Sequence, residues 1–117
     1  MKNNDIKSKN YLDRKPIRKA DINWSADDDG KVTLEIVNKG LFNKIAQALF
    51  KKPKISYVHL DEMGSFVWPV IDGEKDITAI GELVRDHFGD KAEPLYERLS
   101  KYFQILDSYG FICWNNN

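Results

Sequence analysis

At 117 residues the chain has the length of one domain with its own hydrophobic core. Eighteen basic side chains balance eighteen acidic ones, a zero formal charge that argues against a dedicated nucleic-acid binder or an electrostatically held membrane protein. No apolar run approaches the roughly 18–20 residues of a membrane span, the first ten residues lack the apolar stretch of a secretory signal, and a single cysteine, Cys113, allows no internal disulfide. A soluble protein of a reducing, cytoplasmic compartment is the expectation.

Residues 1–10 are polar and are expected to form a flexible tail, with a single domain over 11–114 and a short asparagine tail at 115–117. Order is expected to begin between Tyr11 and Ile17, where Pro16 favours extended backbone. A first strand is predicted over residues 18–25, with Ile22 and Trp24 on one face. Asp27-Asp28-Asp29-Gly30 has the chemistry of a hairpin turn. Residues 31–38 answer it, with Val32, Leu34 and Ile36 inward and Thr33 and Glu35 outward, the alternation of a half-buried antiparallel strand. Leu41, Phe42, Ile45, Ala46, Leu49 and Phe50 then recur at helical spacing. Lys51, Lys52 and Pro53 form a stop signal, so an amphipathic helix is predicted over 41–51.

The next stretch, I-S-Y-V-H-L, residues 55–60, alternates like a strand, yet neither face is properly polar. Ser56, Val58 and Leu60 share one side; Ile55, Tyr57 and His59 share the other. An ordinary two-layer strand shows one apolar and one polar face, so a second semi-apolar face, or the edge beside it, needs an occupant. Three helices are predicted after it. The first covers about 62–71, with Pro69 late in it. The second is capped by Asp76 and ended by Gly89. The third has Pro94 near its first turn and runs to about Tyr109. An apolar end segment, Phe111 to Trp114, closes the domain.

The third helix carries the most information. Leu95, Leu99 and Leu106 centre one face, flanked by Phe103 and Tyr96 on one side and by Tyr102, Tyr109, Arg98 and Ile105 on the other. This apolar arc spans roughly 180°, wider than the little over 100° that packing on one layer requires. The surplus is rich in tyrosine, a residue favoured at binding surfaces. A corner position between other elements would also account for the width. With antiparallel strands preceding three helices, the plan is α+β and winged-helix-like. In such a plan the last strand and third helix can bound a groove that takes an extended peptide as an added strand.

Little else points to chemistry. His59 and His87 stand alone, without the spacing of a metal site, and both are expected to be structural, so neither metal nor cofactor is implied. Cys113, in an apolar end strand, is expected to be a packed thiol. The Asp27–Asp29 run lacks the further ligands of a calcium loop. Asp61 and Glu62 precede a helix, where negative charge suits the dipole. No phosphate loop or nucleophile elbow is present, so no enzymatic activity is expected. Alternatives are a winged-helix DNA-binding module, and an interaction scaffold or homodimer element that uses the helix at 41–51.

The stretch L-D-E-M-G-S-F-V-W-P-V-I-D-G-E-K-D-I, residues 60–77, resembles the signature of the PqqD family, and the pattern continues through I-G-E-L-V-R-D-H-F-G and L-Y-E-R-L-S-K-Y-F-Q-I-L-D-S-Y-G-F-I. The resemblance covers about residues 15–114. It implies a three-stranded antiparallel sheet with a winged-helix-like three-helix bundle. It also implies a peptide chaperone, a recognition element that binds the leader of a ribosomally made precursor and presents it to a radical S-adenosylmethionine enzyme, as in pyrroloquinoline quinone (PQQ) biosynthesis. The leader would lie against Ser56, Tyr57, Val58, His59 and Leu60 and beside Arg98, Leu99, Tyr102, Ile105, Leu106 and Tyr109. The extra helix between the second and third strands departs from the family's short turn.

Overall fold

The computed structural model describes residues 11–37 and 55–116. The expected tail at 1–10 and the helix expected over 41–51 lie outside the described residues. Among the described residues the fold is α+β: two small antiparallel sheets and three α-helices. Strands β1 (Lys15–Arg18), β2 (Asn23–Ala26), β3 (Val32–Val37) and β4 (Ile55–His59) precede α1 (Glu62–Val67), α2 (Ile77–Phe88) and α3 (Leu95–Ser108); β5 (Ile112–Asn115) ends the order. None of the described helices is long and apolar enough to cross a membrane.

The strand predicted over 18–25 is in fact two. Residues 15–18 pair with β5, and 23–26 begin the hairpin with β3. The segment between them turns, with Lys19 donating to the Phe111 carbonyl and Ile22 donating to that of Lys19. The extra β1–β5 ribbon gives the apolar end segment a partner. It reaches to Asn115, which donates from Nδ2 to the Gly73 carbonyl and so belongs to a strand rather than a tail. Gly73 N donates to the Pro16 carbonyl, Ile77 N to that of Arg14, and Arg18 Nε to that of Ile71, tying the ribbon to the turn before α2. In this ribbon Ile112 faces the core and Cys113 faces solvent. The expectation of a packed thiol is therefore corrected by the alternation of the strand itself.

The second sheet has the order β2-β3-β4. Its hairpin turn is built by Asp27, whose Oδ1 accepts from Asp29 N and Lys31 N while its carbonyl accepts from Gly30 N. Gly30 sits at φ +83°, where a side chain would be strained. Asp61 caps α1 by accepting from Gly64 N, and Asp76 caps α2 by accepting from Ala79 N. The first helix is shorter than predicted: it gives way at Trp68–Val70 to a 3-10 turn that contains Pro69. Pro94, joined to Glu93 by a cis peptide bond, is the N-cap of α3.

The core gathers Val32 and Leu34 of β3, Met63 and Val67 of α1, Trp68, Ile71, Ile77, Ile80 and Val84, then Leu95, Leu99, Phe103 and Leu106 of α3 and the Phe111–Ile112 pair. Each large side chain here contributes about 1.5–3 kcal/mol through burial. Close approach of α2 and α3 depends on Gly81, where a Cβ would lie 2.5 Å from the Tyr96 ring. The strands on either side of β3 are covered less than it is: β2 is exposed throughout and β4 alternates between exposed and half-buried.

Candidate functional site

Among the described strands β4 is one of the two outer strands of its sheet, and its register places Val58 opposite Leu34, Ser56 opposite Ile36 and Tyr57 opposite Glu35. The phase of the hydrogen-bond ladder follows from one contact, Leu60 N donating to the Val32 carbonyl at 2.9 Å. Hydrogen-bonded pairs alternate in an antiparallel ladder. Leu60, Val58 and Ser56 therefore direct their backbone groups toward β3, and Ile55, Tyr57 and His59 direct theirs toward the outer edge. The reciprocal bond at the Leu60 end is replaced by a side chain. Buried Ser65 accepts from Val32 N at 2.8 Å and donates to the Leu60 carbonyl at 3.2 Å, locking α1 to the end of the ladder.

Beside β4 lies a groove of about 740 Å³. Ile36, Ser56, Val58, His59, Leu60 and Asp61 form one wall; Tyr102, Ile105, Leu106, Tyr109 and Phe111 form the other. Ile105 is 49% exposed and Tyr109 69%, the surplus part of the wide α3 arc. Tyr109 stacks on Phe111 with centroids 5.5 Å apart, which stiffens that end of the wall. His59 lies at the rim, its Nδ1 2.9 Å from Thr33 Oγ1 on the neighbouring strand.

Tyr102 both lines the groove and supports it. Its hydroxyl donates to the Gly64 carbonyl at 3.0 Å, and its ring packs edge-on to Phe103. Burial, and secondarily the negative charge of Asp61, pushes its ionisation well above the ordinary tyrosine range. Gly64 makes this contact possible, since a Cβ there would stand 3.0 Å from the Tyr102 ring.

The expected residues divide into those that line the groove and those that do not. Ser56, Val58, His59, Leu60, Tyr102, Ile105, Leu106 and Tyr109 line it. Leu99 does not: it is fully buried in the core, because it sits at the centre of the packed face of α3. Tyr57 is 59% exposed but stands on the opposite face of the strand, so its side chain does not enter the groove, though its backbone faces the edge. Arg98 lies in an adjoining hollow instead and donates to the Lys91 carbonyl. Ile36, Asp61 and Phe111 were not anticipated. Ile36, directly opposite Ser56, was legible as an inward residue of its strand; Phe111 depended on the turn at Gly110.

Residues 47–112 match the family model described as coenzyme PQQ synthesis protein D (PqqD), a span of more than half the chain. The chain belongs to the PqqD family. Neither a curated protein nor a solved structure gave a match. PqqD proteins are non-catalytic accessory proteins of coenzyme PQQ synthesis, associated with peptide binding. The matched span includes β4 and all of α3, hence most of both groove walls, whereas Ile36 precedes it.

Proposed function

We propose that this protein is a peptide chaperone that binds the leader of a ribosomally made precursor as an added strand on β4 and presents it to a radical S-adenosylmethionine enzyme. The supporting observation is one coincidence of geometry. An outer strand whose alternate backbone groups face away from the sheet runs beside an apolar groove walled by exposed Ile105 and Tyr109. Main-chain pairing at Ile55, Tyr57 and His59 supplies affinity that is indifferent to sequence, and the groove supplies selectivity for every second side chain. A winged-helix-like plan would suit this use, with α3 forming the second wall. PQQ synthesis is the pathway that the family description favours.

An amide-shift titration of isotope-labelled protein with the leader of a precursor encoded beside its gene tests this. Shifts concentrated at residues 55–60 and along the exposed side of α3 are expected. Saturating peptide that moves no signal in either segment would refute it.

A further inference from the structure

The groove does not end at Tyr102. A second hollow of about 250 Å³ continues from it, sharing Asp61, Tyr102 and Ile105 and adding Met63, Gly64, Arg98 and Lys101. The wall stays partly apolar there but gains two cations. Arg98 and Lys101 are three residues apart on α3 and so lie on neighbouring positions of one helical face. Among the described residues the Lys101 ammonium makes no hydrogen bond or ion pair, and Glu97, one turn earlier, does not engage it. Arg98 donates one N–H to the Lys91 carbonyl at 2.8 Å, leaving further donors on its guanidinium. The carboxylate at the junction, Asp61, is engaged as the cap of α1, with Oδ1 2.7 Å from Gly64 N. Two cations therefore stand against one carboxylate at the mouth of an otherwise apolar groove.

Resting on the peptide-binding reading above, we infer that the guest strand carries an acidic residue at the end lying over Arg98 and Lys101. Every strand pair described here is antiparallel. A guest added to β4 in the same sense has its amino-terminal end beside Leu60 and Asp61, so its carboxylate precedes its apolar residues. One helical turn separates Ile105 from Lys101, about 6 Å of axial rise. An extended chain covers that distance in about two residues. The recognised class is thus a peptide with an acidic residue two positions before a pair of apolar residues spaced i, i+2, all three side chains on one face of the strand. The charge fixes which end of the peptide sits at Asp61 and so sets register, which main-chain pairing alone leaves free to slip.

Three blocked, fluorescently labelled octapeptides test this by anisotropy against the full chain. All carry valine and isoleucine at alternate central positions. One has glutamate two positions before the first of them, the second has glutamine there, and the third has the glutamate moved to the carboxyl end. The first is expected to bind roughly fivefold tighter than the second at low salt, with the advantage shrinking as salt rises. The third should show no gain over the second. Lys101→Glu should erase the preference for glutamate over glutamine. Equal binding of the glutamate and glutamine peptides overturns the inference and leaves the groove reading intact; a gain for the carboxyl-terminal glutamate overturns its polarity. No binding of any of the three overturns both.

Discussion

Replacing Tyr57 with proline should abolish guest pairing at small cost to the fold, whereas the same change at Val58 should damage the fold itself. The Tyr57 amide faces the outer edge of the sheet, so its loss removes no bond to β3, and proline is tolerated on edge strands in that position. Its side chain is 59% exposed, so the stability cost should stay near the ~1 kcal/mol span of strand propensities. A guest strand, however, loses a bond worth about 0.5–1.5 kcal/mol and keeps a carbonyl with no donor, a further penalty of about 1–3 kcal/mol. Binding should therefore weaken by roughly 10- to 100-fold or more. The Val58 amide bonds inward, opposite Leu34, which is fully buried. Proline there leaves a buried carbonyl unpaired, about 1–3 kcal/mol before any clash of the ring with β3 is counted. At about 4–8 °C per kcal/mol for a small domain, thermal unfolding separates the two variants clearly, and peptide anisotropy reads the binding. If Tyr57→Pro bound peptide normally, the guest strand would not lie on this edge. If it unfolded as readily as Val58→Pro, the ladder phase assigned from Leu60 would be wrong.

Ser65→Ala should cost about 1–3 kcal/mol, because Val32 N loses its partner in a buried place and the Leu60 carbonyl loses one in a part-buried place; an unchanged urea midpoint would argue against that bridging role. Ile105→Ser should lower peptide affinity by about fivefold while shifting stability by less than about 1 kcal/mol, since the side chain is half exposed without a guest. Parallel titration and urea unfolding would check both halves, and a large loss of stability would place Ile105 in the core. Tyr102 should report on alkaline pH. Its ionisation is raised in the fold, so the stability it contributes is complete below its unfolded value of 10.0 and is lost as pH rises beyond it. Tyr102→Phe should cost about 1 kcal/mol near neutrality, through the bond to Gly64, yet lose less stability between about pH 8 and about pH 11. Calorimetric midpoints at the two ends measure this; an alkaline drop as large as that of the parent would refute it. Tyr102→Ala, in contrast, would remove a supporting ring as well as a groove wall and cannot serve as a pure binding variant.

Local patterns made much of this architecture legible. Alternation identified Val32 and Leu34 as core, Asp76 and Gly89 bracketed α2, and the Asp27–Gly30 turn followed from its residue types. These signals concern residues within a few positions of one another. The β1–β5 ribbon pairs Lys15 with Asn115, and no periodicity in either segment names so distant a partner. The division of the first predicted strand was hidden for the same reason, because Lys19 leaves the hairpin to meet Phe111. On α3, spacing correctly made the apolar arc wide, with Leu99 at its centre and Ile105 on its flank, but did not say where the buried part ends and the open margin begins. That distinction depends on where neighbouring elements stop.

The ambiguity of residues 55–60 has its origin in the same place. The helical layer buries the central strand, leaving Val32 1% and Leu34 0% exposed, but covers neither neighbour fully. The two flanks are finished differently. On the β2 side, Arg18 lies over the Trp24 ring at 5.3 Å and reaches back to the Ile71 carbonyl, a partial shield on a strand that is otherwise exposed. On the β4 side Ser65 closes the ladder at Leu60, and beyond it half-buried Val58 and Ser56 line the groove. Alternation on β4 is blurred because the inner row is only half covered while Ile55 and Tyr57 remain exposed on the outer row. A strand on which neither row is wholly buried nor wholly polar is what an added partner requires: its backbone groups stay reachable, and its inner side chains offer contact area without first having to unpack.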